Sequence, residues 1–140
     1  MPRQSYFLRF CLLVSLLWWV GPLAGQEPEP GSESGSIYIP MEPPFVTNYG
    51  GKGRLKYLKA EVSLRVDKVQ TATAVRHHMP LLRNAMVMLF SRQQDATVST
   101  QEGVELLREA AREELNALLA SESAPPGITE VYFNSLVIQH

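Results

Sequence analysis

Cysteine is nearly absent from this sequence: Cys11 is the only one in 140 residues. An intrachain disulfide is therefore excluded, and so is a thiolate cluster holding zinc or iron. Charge of one sign is lacking too, with 13 basic against 14 acidic residues and a net charge of −1. With no basic excess and few aromatics among its basic residues, the chain lacks the footprint of a nucleic-acid binder. The serines occupy linker and cap positions without a Gly-x-Ser-x-Gly elbow. "GGKGR" at 50–54 has neither the Walker spacing nor a following helix. His77 and His78 are adjacent; neighbours on a helix project about 100° apart, and no acidic residue stands three or four positions on. His140 ends the sequence, where backbone frays. No internal repeat is visible. Together these absences remove any convergent catalytic set, so no enzyme, metal or cofactor is expected.

Both tryptophans fall within the one long apolar run. Arg3 and Arg9 precede it, and Phe10, Leu13, Leu16, Leu17, Trp18 and Trp19 form the body of a candidate membrane segment. Small residues Ala24 and Gly25 follow. Two readings of residues 1–25 stay open. One is a cleaved signal peptide, with basic start, short apolar stretch and small-residue site. The other is a retained membrane anchor, though its sixteen residues from Phe10 to Gly25 make a helix of only about 24 Å against roughly 30 Å of hydrocarbon. Either way the remainder is exported, because the arginines hold the start on the cytoplasmic side.

Residues 26–36, "QEPEPGSESGS", are acidic and rich in Pro, Gly and Ser, the composition of a flexible tether. A folded domain at 37–140 follows. "FVTNY" and "LKYLKAEVSLRVD" read as a hairpin, the second strand placing Leu58, Ala60, Val62, Leu64 and Val66 on one face. Val75, Met79, Leu82, Met86 and Leu89 then recur at helical spacing, with Pro80 kinking that helix or marking its effective start. A second helix opens at the capping box from Ser99 to Glu102 and carries Val104, Leu107, Ala111, Leu115, Leu118 and Leu119. "SAPPG" ends it, and "ITEVYFNSLVIQH" forms a last strand. The order β-β-α-α-β predicts an α+β domain, two amphipathic helices on a three-stranded sheet.

That last strand is apolar on both faces. Strict alternation puts Val131, Phe133 and Val137 on one side and Tyr132, Leu136 and Ile138 on the other. Two coverings stay open for the second side: a neighbouring subunit, or the segment "IYIPMEPP" of the same chain. The first makes Tyr132, Leu136 and Ile138 the candidate interaction residues. Charge is also uneven. Residues 52–92 hold nine basic and two acidic side chains, and residues from 93 onward two basic and eight acidic. This is either ordinary solvation of two surfaces or register between copies arranged head to tail.

The strand "YLKAEVSLRV", the helix with Met-Pro and "LLRNAMVMLFS", then "EGVELLREAAREELNALL" and "ITEVYFNSLVIQ" together resemble the flagellar basal-body-associated FliL family. The resemblance covers about residues 45–139 and lies in the order and spacing of these pieces. It implies an inner-membrane anchor and a periplasmic domain similar to that of stomatin-type (SPFH) proteins. It further implies a homo-oligomer around MotA–MotB-like stator units at the basal body, supporting torque and swarming without enzymatic activity or cofactor. The alternative is an SPFH-like paralogue organising a non-flagellar membrane complex.

Overall fold

The computed structural model describes residues 35–50 and 52–139. The membrane segment, most of the linker and His140 lie outside the described residues. Eight elements follow in order: β1 (Ile37–Pro40), β2 (Phe45–Tyr49), β3 (Lys56–Val66), α1 (Val69–His77), α2 (Met79–Ser91), α3 (Asp95–Val98), α4 (Gln101–Ser121) and β4 (Ile128–Gln139). The class is the expected α+β, with an antiparallel sheet of four strands under the helices.

β3 is the centre of that sheet. Its alternation is realised in full: Leu58, Ala60, Val62, Leu64 and Val66 are all buried. β4 pairs along one side of it, while β1 and β2 share the other. Pro40 pairs with Ser63 and Phe45 with Ala60, so the four residues 41–44 face only Glu61 and Val62. β1 and β2 are thus one edge strand interrupted by a two-residue bulge. The segment that was one of the two possible coverings for the last strand instead continues the sheet. Prolines 43 and 44 supply no backbone donor, which breaks the ladder there. Met41 holds the bulge in place, its N–H donating to Val62 O at 2.9 Å and its side chain buried. Arg83 of α2 reinforces it, donating to Met41 O at 2.6 Å and lying 4.2 Å over the Phe45 ring.

The helices differ from expectation in number. The helix read across 71–93 divides at His78 (φ −92°, ψ 12°), and Pro80 stands in the first turn of α2, where its missing donor is harmless. Val75, Leu82, Met86, Leu89 and Phe90 are buried along the joint stripe. A single turn, α3, precedes α4. The cap of α4 is Thr100 rather than Ser99, its hydroxyl accepting from Gly103 N at 3.1 Å. The stripe of α4 is as read, with Leu107, Ala111, Leu115 and Leu119 buried. α2 lies over β2, α4 over β4, and the two helices touch. Phe45, Phe90 and Phe133 join the layers, with ring centroids 5.6 and 5.7 Å apart in succession.

β4 carries the largest correction. Val62 pairs with Phe133 but Glu61 with Ser135, leaving Asn134 as a bulge; a second bulge leaves Thr129 unpaired between Ile128 and Glu130. Each extra residue flips the following side chains to the opposite face. Leu136 and Ile138 therefore join Val131 and Phe133 on the helix side, packed against the core, opposite Ala60 and Leu58. Val137 moves to the face that strict alternation gave to Leu136.

Gly103 tests the junction between α3 and α4. A Cβ there would lie 2.0 Å from Thr97 O. Alanine in a helix normally stabilises by up to about 1 kcal/mol over glycine. Here Gly103→Ala is expected to destabilise by about 1–3 kcal/mol, the cost of overpacking, read as a lower urea midpoint.

Candidate interaction face

One face of the sheet bears the helices; the other bears none among the described residues. Parity along β3 puts Tyr57, Lys59, Glu61, Ser63 and Arg65 on this open face, and the registers of the neighbouring strands complete it. Val46, Lys59 and Val137 form one row across three strands, and Asn48, Tyr57 and Gln139 form the next. This end is apolar in an unusual degree: Val46 is 68%, Tyr57 45% and Val137 45% exposed. Single exposed apolar residues are ordinary, whereas adjacent ones on a flat sheet mark a contact surface.

The other end is aromatic and ionic. The rings of Tyr38 and Tyr132 meet at a 41° tilt with centroids 5.9 Å apart. Arg65 stands beneath, donating from Nε to Thr129 Oγ1 at 3.1 Å and from a terminal nitrogen to Glu130 at 3.2 Å, with Asp67 at 3.6 Å. The Tyr132 hydroxyl donates to the same Glu130 carboxylate. That bond holds the phenol above its ordinary range, with burial adding to the effect. Between the two ends both neighbours of β3 bulge at the level of Val62. A notch of about 660 Å³ results, walled by Pro40, Pro43, Pro44, Glu61 and Asn134. Asn134 closes its own bulge by donating to Ser63 Oγ at 2.7 Å.

The three candidate interaction residues are thus separated. Tyr132 is on the open face; Leu136 and Ile138 are on the helix face, half-buried against the core. Tyr38, Val46, Tyr57 and Val137 were missed. Tyr57 was legible, since it shares parity with Lys59. Val137 was hidden by the bulge, whose one signal was the polar pair Asn134-Ser135 in an apolar strand. The six membrane-segment residues, Phe10, Leu13, Leu16, Leu17, Trp18 and Trp19, lie outside the described residues. Among the described residues no helix is long and apolar enough to cross a membrane.

The histidine pair also differs from its helical expectation. Because the helix breaks at His78, the rings of His77 and His78 meet edge to face at 4.8 Å. The charge halves meet within the domain as well. Lys56 pairs with Asp95, Arg92 with Glu114 and Arg65 with Glu130, each joining the basic stretch to the acidic one. Asp95 also accepts from the buried Tyr49 hydroxyl at 2.8 Å, and burial raises that phenol's pKa.

Two phenols, Tyr49 and Tyr132, therefore favour their protonated forms in the folded state. Stability from them is fully present below the ordinary value near 10 and is lost as pH rises through their raised values. Spectrophotometric titration is expected to show two tyrosines ionising late, and Tyr132→Phe to remove one. A titration curve left unchanged at its late end by Tyr132→Phe would contradict this.

A family profile described as "Flagellar basal body-associated protein FliL" matches residues 38–139. The flagellar protein FliL of Aquifex aeolicus is 28% identical over 103 residues, covering 74% of this chain and 62% of that protein. The flagellar protein FliL of Escherichia coli K12 is 25% identical over 95 residues, covering 68% of this chain and 60% of that protein. The chain thus spans under two thirds of the length of these relatives.

Proposed function

Given that the chain belongs to the FliL family of flagellar basal-body-associated proteins, we propose that it is a non-enzymatic accessory protein of the flagellar motor. The domain works as a periplasmic scaffold, held at the inner membrane by the apolar segment at 10–25. Copies assemble beside MotA–MotB-like stator units, where they support torque, motility and swarming. The open face carries this reading. Its exposed cluster of Val46, Tyr57 and Val137 beside Lys59, spread over two adjacent rows, gives the domain a flat, partly apolar surface suited to a neighbour or a second copy.

Two substitutions on adjacent residues separate surface from core. Val137→Asp is expected to change stability by no more than about 0.5 kcal/mol while weakening association and shrinking swarms. Leu136→Asp is expected to cost about 2 kcal/mol or more, because it places a carboxylate against the core. Partners are read by pull-down from detergent-solubilised membranes, with a tag inserted between Gly31 and Gly35 and mass spectrometry of the eluate. Stator subunits recovered with an uncleaved chain are the expected result. An eluate without motor proteins, and a chain beginning near Gln26, would replace this reading with that of a soluble SPFH-like paralogue.

A further inference from the structure

The sheet has two edges, and they differ. Along β1 and β2, Pro40, Pro43, Pro44 and a bulge interrupt the line of backbone donors, a common protection against strand pairing. The outer edge of β4 runs for 12 residues without a proline. β4 pairs with β3 on one side, and no strand among the described residues pairs with its other side.

The hydrogen bonds reveal which groups face outward. Ile128 N–H donates to Asn116 Oδ1 and Ile128 C=O accepts from Asn116 Nδ2, both at 2.9 Å. A side chain of α4 thus stands in for one residue of a neighbouring strand. In an antiparallel ladder, residues bonded to their partners alternate with residues whose groups point away. The bond from Met41 N–H to Val62 O fixes the same phase on β3, because Val62, the partner of Phe133, turns its carbonyl from β4. Carried through both bulges, that phase turns the N–H and C=O of Val131, Phe133, Leu136 and Ile138 to the outer edge. Asn116 completes Ile128 alone; no described residue does the same for these four.

Beside this edge α4 forms the second wall of a groove of about 390 Å³, where Arg108, Glu109 and Arg112 face Glu130, Val131 and Tyr132. Both arginines pair with glutamates of their own helix, Glu105 and Glu109. Arg108 Nε nevertheless stays buried without a hydrogen-bond partner among the described residues. The two arginines are one turn apart, about 6 Å along the helix, and alternate residues of a strand are about 6.7 Å apart.

We propose that the outer edge of β4 is a strand acceptor. It takes an extended segment of a partner polypeptide as an added strand, whose acidic side chains two residues apart reach Arg108 and Arg112. Apolar side chains further along that strand cover the half-buried Phe133, Leu136 and Ile138. A second copy's β4 is a poor occupant, since Glu130 is its one acidic residue and is held by Arg65 and Tyr132. Tyr132 borders both surfaces, but the exposed apolar end of the open face at Val46, Tyr57 and Val137 lies outside this groove, so docking on either can fail independently.

The test pans a phage-displayed library of random twelve-residue peptides on the full chain in detergent micelles. Enriched peptides are expected to carry two acidic residues at alternate positions beside alternating apolar ones. Their binding is expected to weaken about tenfold in the Arg108→Gln/Arg112→Gln variant, with its circular dichroism unchanged. On binding, the amides of Val131 and Phe133 gain protection from deuterium exchange. Four results would overturn the proposal: no enriched peptide, binding indifferent to the double variant, protection confined to other elements, or slow exchange at Val131 and Phe133 in the free protein at every dilution. The last would mean that a second copy already occupies the edge.

Discussion

The ladder of β3 is the constraint on which the rest of the structure depends. Every other strand pairs with it, and its five buried side chains belong to the one core that the helices cover. Because a strand's side chains alternate, burying one face commits the other to solvent or to a partner. The two neighbours of β3 both adjust to it near Val62, one with two extra residues and the other with one. These adjustments create the notch, move Val137 outward and bring Leu136 inward. The open face is therefore a consequence of register as much as of composition.

Electrostatics closes the domain around that sheet. The basic stretch and the acidic stretch look like two oppositely charged surfaces, yet three ion pairs join them within one domain. The Lys56–Asp95 pair and the Tyr49 hydroxyl fasten the turn end of the β2–β3 hairpin to α3, while Arg65 gathers Glu130, Asp67 and Thr129 on the open face. Exposed pairs of this kind contribute little each, on the order of 0–1 kcal/mol, so their value lies in fixing geometry. Part of the charge asymmetry is thus satisfied inside the domain.

Much of the fold was legible because β3 and α4 obey their periods strictly. Leu58 to Val66 and Leu107 to Leu119 fell where alternation and the helical repeat placed them. The failures share one cause: an extra residue breaks a period without leaving a strong mark in composition. Asn134 reversed the faces of Leu136 and Ile138, and residues 41–44 hid a strand behind prolines that read as a loop. Pro80 was read correctly as a disturbance, but the break at His78, one residue before α2, required the backbone itself. Of the open face, the position of Tyr132 was read from alternation, whereas Tyr38 and Val46 depend on a register that only the paired strands reveal.

A sheet face left bare beside a compact helical layer suits a protein whose work is to be held against others, which is the role proposed at the flagellar basal body. The most direct measurement is maleimide labelling of single cysteines in a Cys11→Ser background, at Val46, Tyr57 and Val137 on the open face and at Thr73 on α1. Purified chain is compared with membranes of flagellated cells. The account predicts that all four positions label in purified protein and that only Thr73 still labels in the membranes. Equal labelling of the open-face cysteines in both would contradict it.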